Sequence, residues 1–308
     1  MSTDTPPLTI GLPVYNSERY LACSLDSLLN QTYGDFRLII SDNASTDGTP
    51  DICKDYASRD KRIAYHRNPV NIGLSPNFNR VFALSESKYF QWATSDDYWA
   101  PTMLERAIEI MNSDTRIALC YPKTTLVDAE GGNPELYEDG LHLVGDDPRQ
   151  RFMQLLERIR LSHQHLGVSR ASMLKRTHML KEHPGSDINL LAELTLYGKF
   201  YELPERLFFR RFHKDSSSWA RQDVEHQARR YHSASSSRIV LNRWRQYCAF
   251  FQAVHCAPIK LGDRLSLYRY FCRRMRWDRF HLAKELRTKA RYCLVRSHVI
   301  RSHDSPAV

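Results

Sequence analysis

Three hydrophobic runs in this chain end in side chains able to do chemistry. Trp92-Ala93-Thr94 leads into Ser95, Asp96 and Asp97, two adjacent carboxylates. Such a pair repels itself and loses hydration where a buried strand ends, so a positive partner is expected beside it. A hard divalent cation that also binds phosphate oxygens meets that need. Phe36 to Ser41 leads into Asp42-Asn43-Ala44-Ser45-Thr46-Asp47-Gly48-Thr49, with a carboxylate at the tip. This is no calcium loop, because Ala44 and Thr46 fall where acidic or amide oxygens are needed. Leu8 to Val14 contains Pro13 and delivers Tyr15, Asn16, Ser17 and Glu18 to a helix start. Plainer duties are open to the same residues: Asp42 as a turn cap, Asp96 and Asp97 as caps of a helix beginning near Pro101.

The elements that must position these groups alternate. Apolar runs at Leu8 to Val14, Phe36 to Ser41, Ile63 to His66, Tyr89 to Thr94 and Ile117 to Tyr121 are separated by helical patterns, as in a parallel sheet covered by crossover helices. Ligands bind such sheets beyond the carboxyl ends of the strands, where all three polar clusters lie. The first helix repeats Leu21, Leu25, Leu28 and Leu29 on one face, after Asn16 or Ser17 as N-cap. Thr49 is a plausible cap for a second helix, with Pro50 in its first position. Residues 131–150 read as a loop after Gly131-Gly132-Asn133-Pro134, helix resumes near Arg151, and Pro204 to Phe212 reads as a strand. From about Ser216 helix follows helix, one with a stripe of Val240, Trp244, Tyr247, Phe251 and Val254, the next with Leu261, Leu265, Tyr268, Cys272 and Met275. A boundary near Ser216 to Ser218 divides residues 1–215 from a helical extension, residues 216–308.

In this order and spacing the motifs resemble the inverting nucleotide-sugar glycosyltransferases numbered family two, over residues 8 to about 215. The resemblance rests on Pro13-Val14-Tyr15-Asn16 with Gln31-Thr32-Tyr33, on Asp42 to Thr49, on Arg67-Asn68 with Asn71-Ile72-Gly73 and Asn77, and on Ser95-Asp96-Asp97 with Pro101. Gly167-Val168-Ser169-Arg170, Gly185-Ser186-Asp187 and Arg210-Arg211-Phe212-His213 resemble the acceptor half. It implies a GT-A fold: an α/β, Rossmann-like, mostly parallel sheet flanked by helices. It also implies that Pro13, Tyr15, Asn16, Glu18, Asp42, Asn43, Arg67, Asn71, Gly73, Asn77, Ser95 and Asp96 surround the nucleotide of a UDP-sugar. Mg²⁺ or Mn²⁺ is expected at Asp96, with Asp97 and His213 as further ligands, and Asp187 falls on the position of the catalytic base. Arg210, Arg211 or His213 would assist the leaving group. The acceptor implied is a saccharide or lipid-linked saccharide of cell-surface polysaccharide or glycolipid synthesis. Asn43 replaces a usual Asp, and Thr94 stands where an Asp is common.

The 308 residues carry a formal net charge of +9, unevenly spread: residues 221–308 hold 19 Lys and Arg against 6 Asp and Glu. An anionic partner is expected there, and Arg-rich, Trp-bearing helices suit an anionic membrane surface. Generic nucleic-acid binding fits the same charge but has no reading motif to support it. No G-x-G-x-x-G follows the first strand and no G-x-x-x-x-G-K-[ST] occurs, which excludes the commonest dinucleotide and P-loop sites. Seven cysteines without metal or CxxC spacing read as core residues of a reduced compartment. With no signal peptide and no spanning run, a cytoplasmic protein, soluble or peripheral at the membrane's inner face, is expected.

Overall fold

Strands that are apolar along their whole length belong in a sheet covered on both faces, and the N-terminal third is built this way. A computed structural model describes residues 5–213 and 241–303, with side chains as far as residue 291. Strand β1 (Leu8–Val14) is buried throughout and lies between β2 (Phe36–Asp42) and β4 (Tyr89–Trp92), both parallel to it. β3 (Ile63–Arg67) adds on beyond β2. The crossovers are α1 (Glu18–Leu29), α2 (Thr49–Arg59) and α3 (Leu74–Ala83). α1 buries Leu21, Leu25 and Leu28 as their spacing predicts. Gly48, not Thr49, precedes α2, and the Thr49 hydroxyl instead accepts from the Ser17 N–H at 2.7 Å.

Two residues of β1 show what the layers require. A Cβ on Gly11 would stand 2.6 Å from Val81 and 2.7 Å from Phe90, so glycine sets how closely α3 approaches the sheet. Pro13 pairs with Ser41, whereas β4 pairs with β1 only as far as Gly11 opposite Trp92. The proline therefore stands where the β4 side of the ladder has ended.

The second half turns the sheet mixed. β8 (Val168–Arg170) lies antiparallel between β4 and β6 (Ile117–Val127), and β9 (Lys199–Arg211) runs parallel to β6. β5 (Tyr98–Trp99) closes the order β3-β2-β1-β4-β8-β6-β9-β5, and β7 (Glu135–Tyr137) pairs with β6 from within the expected loop. β6 and β9 exceed their sequence-based bounds because each supplies the other's partner along its length, through register shifts around Lys123. α4 (Met103–Ser113) starts with its Leu104 N–H on the Gln31 side chain at 3.0 Å, so neither Asp96 nor Asp97 caps it. α5 (Pro148–Arg158) begins three residues ahead of Arg151, because Asp147 accepts from the Arg149 N–H at 2.8 Å. α6 (Ala171–Leu174) and α7 (Ser186–Thr195) complete this part.

The C-terminal helices are α8 (Asn242–Cys256), α9 (Leu261–Trp277) and α10 (Arg279–His303). Phe250 and Phe271 pack on Phe152 of α5 at ring-centroid distances of 5.9 and 5.6 Å, joining one hydrophobic core with the sheet part. The α9 stripe is rotated from the expected one: Leu267, Tyr270 and Phe271 are buried, while Leu261, Leu265 and Cys272 are exposed. Contact with Phe250 and Phe152, rather than the aliphatic run, sets which side turns inward. α8 buries Tyr247 and Val254 as expected, with Phe250 in place of the partly buried Phe251. The boundary near Ser216 to Ser218 and Val240 lie outside the described residues. Of the described cysteines only Cys53 and Cys120 are buried, so the core reading fails for Cys23, Cys248, Cys256 and Cys272. Among the described residues no helix is long and apolar enough to cross a membrane.

Candidate active site at the strand ends

Asp42 ends β2 with a carboxylate that is 0 % exposed. One oxygen accepts from the Ser45 N–H at 2.9 Å, the other from the Tyr65 hydroxyl at 2.9 Å and the Arg67 guanidinium at 3.0 Å. Burial, and then the bond to Asp42, push the Tyr65 phenol up to about 12, which keeps it a donor at neutral pH. Arg67 also reaches the Ser45 carbonyl at 2.7 Å, closing the loop over the carboxylate.

Behind this loop lies an amide network. Asn43 donates to Asn71 Oδ1 at 2.8 Å and the Gly73 carbonyl at 3.2 Å, and accepts from Asn68 at 3.1 Å and the Ile72 N–H at 2.9 Å. Asn77 accepts from the Ser41 hydroxyl at 2.7 Å and from Asn68, and donates to the Ser41 carbonyl at 2.9 Å. Of the residues expected around the nucleotide, Asn43, Asn71, Gly73 and Asn77 belong to this network, which with Ser41 and Asn68 shapes the loop before α3. Asn16 and Glu18 likewise clasp the two strand-end loops together. Asn16, at φ 47°, accepts from the Thr46 N–H at 2.8 Å, and Glu18 from the Gly48 N–H at 2.7 Å. Pro13 is buried in β1, whereas Tyr15, just past the end of that strand, stands exposed. Ser95 meets the Ser17 hydroxyl at 2.9 Å, tying β1's loop to the acidic turn.

The adjacent carboxylates divide their work. Asp97 is buried and accepts from the Thr94 hydroxyl at 2.6 Å with one oxygen and the Arg211 N–H at 2.9 Å with the other. Burial, and then the charge of Asp96, push its carboxyl up, to about 7. One oxygen thus fixes the acidic turn and the other ties it to the end of β9, so both oxygens of this expected ligand are engaged within the protein. Asp96 is half-exposed and faces His213, whose Nε2 is 3.1 Å from Oδ2. That contact is a hydrogen bond; the carboxylate suits hard Mg²⁺ or Mn²⁺, and His213 would join it as a ligand only with Nε2 turned from Oδ2 to the ion. Among the described residues no group of three or more His, Cys, Asp and Glu could hold a metal, so remaining positions would fall to phosphate oxygens and water. Arg211, expected at the leaving group, is buried and donates to the carbonyls of Asp96 and Ala129, each at 3.0 Å.

Asp187 stands in the first turn of α7, after Gly185 at φ 82°. One oxygen accepts from the Ser162 hydroxyl and the other from the Ile188 N–H at 2.9 Å. Sequence reasoning passed over its neighbours. His165 packs against Trp92 with ring centroids 6.4 Å apart, and burial lowers its pKa while Asp187 opposes that shift. The charge of Arg210, near the end of β9, acts to lower the pKa of Asp97 and of His163 and His165 alike, so it is felt at both the acidic turn and the turn beside Asp187. Ser162, His163 and His165 have no motif spacing to reveal them; only the turn before β8 assembles them. A separate cleft of about 430 Å³ between α7 and α8, lined by His178, Asn189, Glu193 and Trp244 among others, lies on the face of α7 turned away from Asp187.

Residues 9–177 match the sequence profile of Glycosyl transferase family 2, more than half of the chain. The chain belongs to that family. Curated relatives within it include an uncharacterized glycosyltransferase of Methanocaldococcus jannaschii, 30% identical over 142 residues, 44% of this chain and 49% of the relative. The putative teichuronic acid biosynthesis glycosyltransferase TuaG of Bacillus subtilis is 32% identical over 111 residues, 36% of this chain and 44% of TuaG. The matches thus span about half the length of those relatives. Among solved structures, S. aureus TarS 1-349 in complex with UDP superposes with a TM-score of 0.63 at 16% identity, over 87% of this chain and 71% of that one. The mannosyltransferase PcManGT of Pyrobaculum calidifontis, in complex with GDP-Man and Mn²⁺, gives a TM-score of 0.51 at 16% identity, over 92% of this chain and 85% of that one. These likenesses show the GT-A architecture: a mostly parallel sheet flanked by helices, with helices at the C-terminal end.

Proposed function

We propose that this family 2 chain transfers a glycosyl group, with inversion, from a nucleoside-diphosphate sugar to an acceptor hydroxyl in surface polysaccharide or glycolipid synthesis. The observation that carries the reading is the pair of charged clusters at neighbouring strand ends, Asp42 with Arg67 and Asp96 with His213, together with the carboxylate of Asp187 in the first turn of α7. The loop over Asp42 and the exposed ring of Tyr15 hold the nucleotide base and ribose. Asp96 and His213 would hold Mg²⁺ or Mn²⁺, whose chemistry is to neutralise charge on the diphosphate. Arg210 adds a positive charge felt on both the diphosphate and the acceptor sides. Asp187, oriented by Ser162, takes the acceptor hydroxyl's proton as that oxygen attacks the anomeric carbon opposite the leaving diphosphate. UDP and GDP-Man with Mn²⁺ in the solved neighbours support a nucleotide-sugar donor and a divalent ion, and UDP is the donor nucleotide we favour. The name of TuaG supports a polysaccharide product.

The test is Asp187→Asn, which keeps the shape and removes the base. Transfer to a saccharide acceptor should fall by about 10²- to 10⁴-fold with UDP affinity unchanged. Transfer retained within a few-fold would place the base elsewhere.

A further inference from the structure

We propose that the corner between α9 and α10 is a docking surface for a bilayer rich in anionic lipid, with Trp277 and Phe280 as its inserting side chains. Trp277 is 78% exposed and Phe280 72%, at the last residue of α9 and the second of α10. Large aromatic side chains are rarely left in water in pairs, and an amphipathic ring flanked by cations is suited to the headgroup boundary. Leu286, one to two turns further along α10, is 46% exposed, and Leu261 and Leu265 of α9 are exposed as well. Half of the large apolar side chains exposed among the described residues lie on these two helices, and Trp277 and Phe280 are the most exposed of them all.

The charges around the corner have one sign. Arg273, Arg276, Arg279, Lys284 and Arg287 are all exposed. Arg279 lies over the Phe280 ring at 4.5 Å and donates to the Arg276 carbonyl at 2.8 Å. The two carboxylates of this stretch turn inward. Asp278 accepts from Arg243 at 3.0 Å and from the Tyr247 hydroxyl at 2.7 Å, and Glu285 accepts from the Arg243 N–H at 3.1 Å. What remains outside is cationic and aromatic, the complement of an anionic leaflet, in which each basic residue near the surface adds attraction. A nucleic acid would answer the charge alone. The aromatics carry the choice, because they stand at the helix corner and not along a groove that a strand could follow.

The experiment is co-sedimentation of the full chain with vesicles of phosphatidylcholine alone or with phosphatidylglycerol added. The variants are Trp277→Ser with Phe280→Ser, and Arg276→Gln with Arg279→Gln; circular dichroism checks that each folds, as expected for exposed sites. Partition should be at least tenfold greater on the anionic vesicles, fall at least tenfold in either double variant, and weaken with salt. UDP binding, measured on the same samples, should be unchanged, which separates this inference from the proposed activity. Wild-type protein that ignores both vesicles, or double variants that bind as well as wild type, would overturn the proposal. So would binding to a 20-base-pair duplex with no vesicle binding, which would assign the surface to nucleic acid.

Discussion

Asp42, Asp97 and Asp187 are all carboxylates near strand ends or a helix start, yet their surroundings give each a different task. Asp42 has no exposure and three donors, one of them charged, so removing it leaves Arg67 and Tyr65 facing an emptied site. Breaking a buried pair from one side costs about 3–5 kcal/mol. Arg67 is partly exposed, so we expect Asp42→Ala to lose about 2–3 kcal/mol in urea unfolding, and UDP binding with it. Loss of nucleotide binding at undiminished stability would instead make Asp42 a ligand contact and nothing more. His163 provides a pH test. Buried against Tyr137 and Phe208, with Nδ1 lacking a partner among the described residues, it has its pKa lowered by burial and then by Arg210. The unfolded chain then takes up the proton first, at about 6.5, so the stability held above that pH is lost as pH falls below it. His163→Phe keeps the ring contacts and should show a smaller drop in urea midpoint between pH 7.5 and 5.5 than wild type; an unchanged drop would rule His163 out as its source.

Strand ends bring these residues together, and β9 does so across the greatest sequence distance. Its Arg211 joins Asp97, the Asp96 carbonyl and the Ala129 carbonyl, and its guanidinium lies 4.8 Å from the Tyr20 ring centre. Arg211→Met keeps much of the bulk while removing charged hydrogen bonds, and we expect it to cost about 2–4 kcal/mol and to weaken Mn²⁺-dependent UDP binding by loosening the Asp96 turn. A variant as stable as wild type would contradict this pinning role. At this scale the sequence was most informative where a strand is buried on both faces: β1 matches its apolar run residue for residue, and β2 and β3 differ by one residue at the end. β5, β7 and β8, of two or three residues, carry no periodicity and could not be seen. The positions of Asp42 at a strand end and of Asp96 beyond one were legible, because polar residues directly follow apolar runs. The division between Asp96 and Asp97 was not, since it depends on Thr94 and Arg211 meeting one of them in space. The amide network of Asn43, Asn68, Asn71 and Asn77 was hidden for the same reason.

The described residues share one hydrophobic core that runs from the sheet part into the C-terminal helices. Phe152, Phe250 and Phe271 form a three-way aromatic contact between α5, α8 and α9. Their pattern on α9 was misread because the helix carries apolar residues on more than one side, and only the partner surface decides which are covered. Phe271→Ala removes a fully buried ring and should cost about 3–5 kcal/mol in a single unfolding transition shared with the sheet part. A second, separate transition would show that the C-terminal helices fold on their own. The central claim, a nucleotide-sugar transferase with its cation at Asp96, meets its most direct test in nucleotide release. Purified protein would be given a panel of UDP- and GDP-sugars with and without Mn²⁺, beside Asp96→Ala. The account predicts release from one donor that requires the metal and falls at least about 100-fold in Asp96→Ala; no donor bound or cleaved with either protein, or release indifferent to both metal and Asp96, would contradict it.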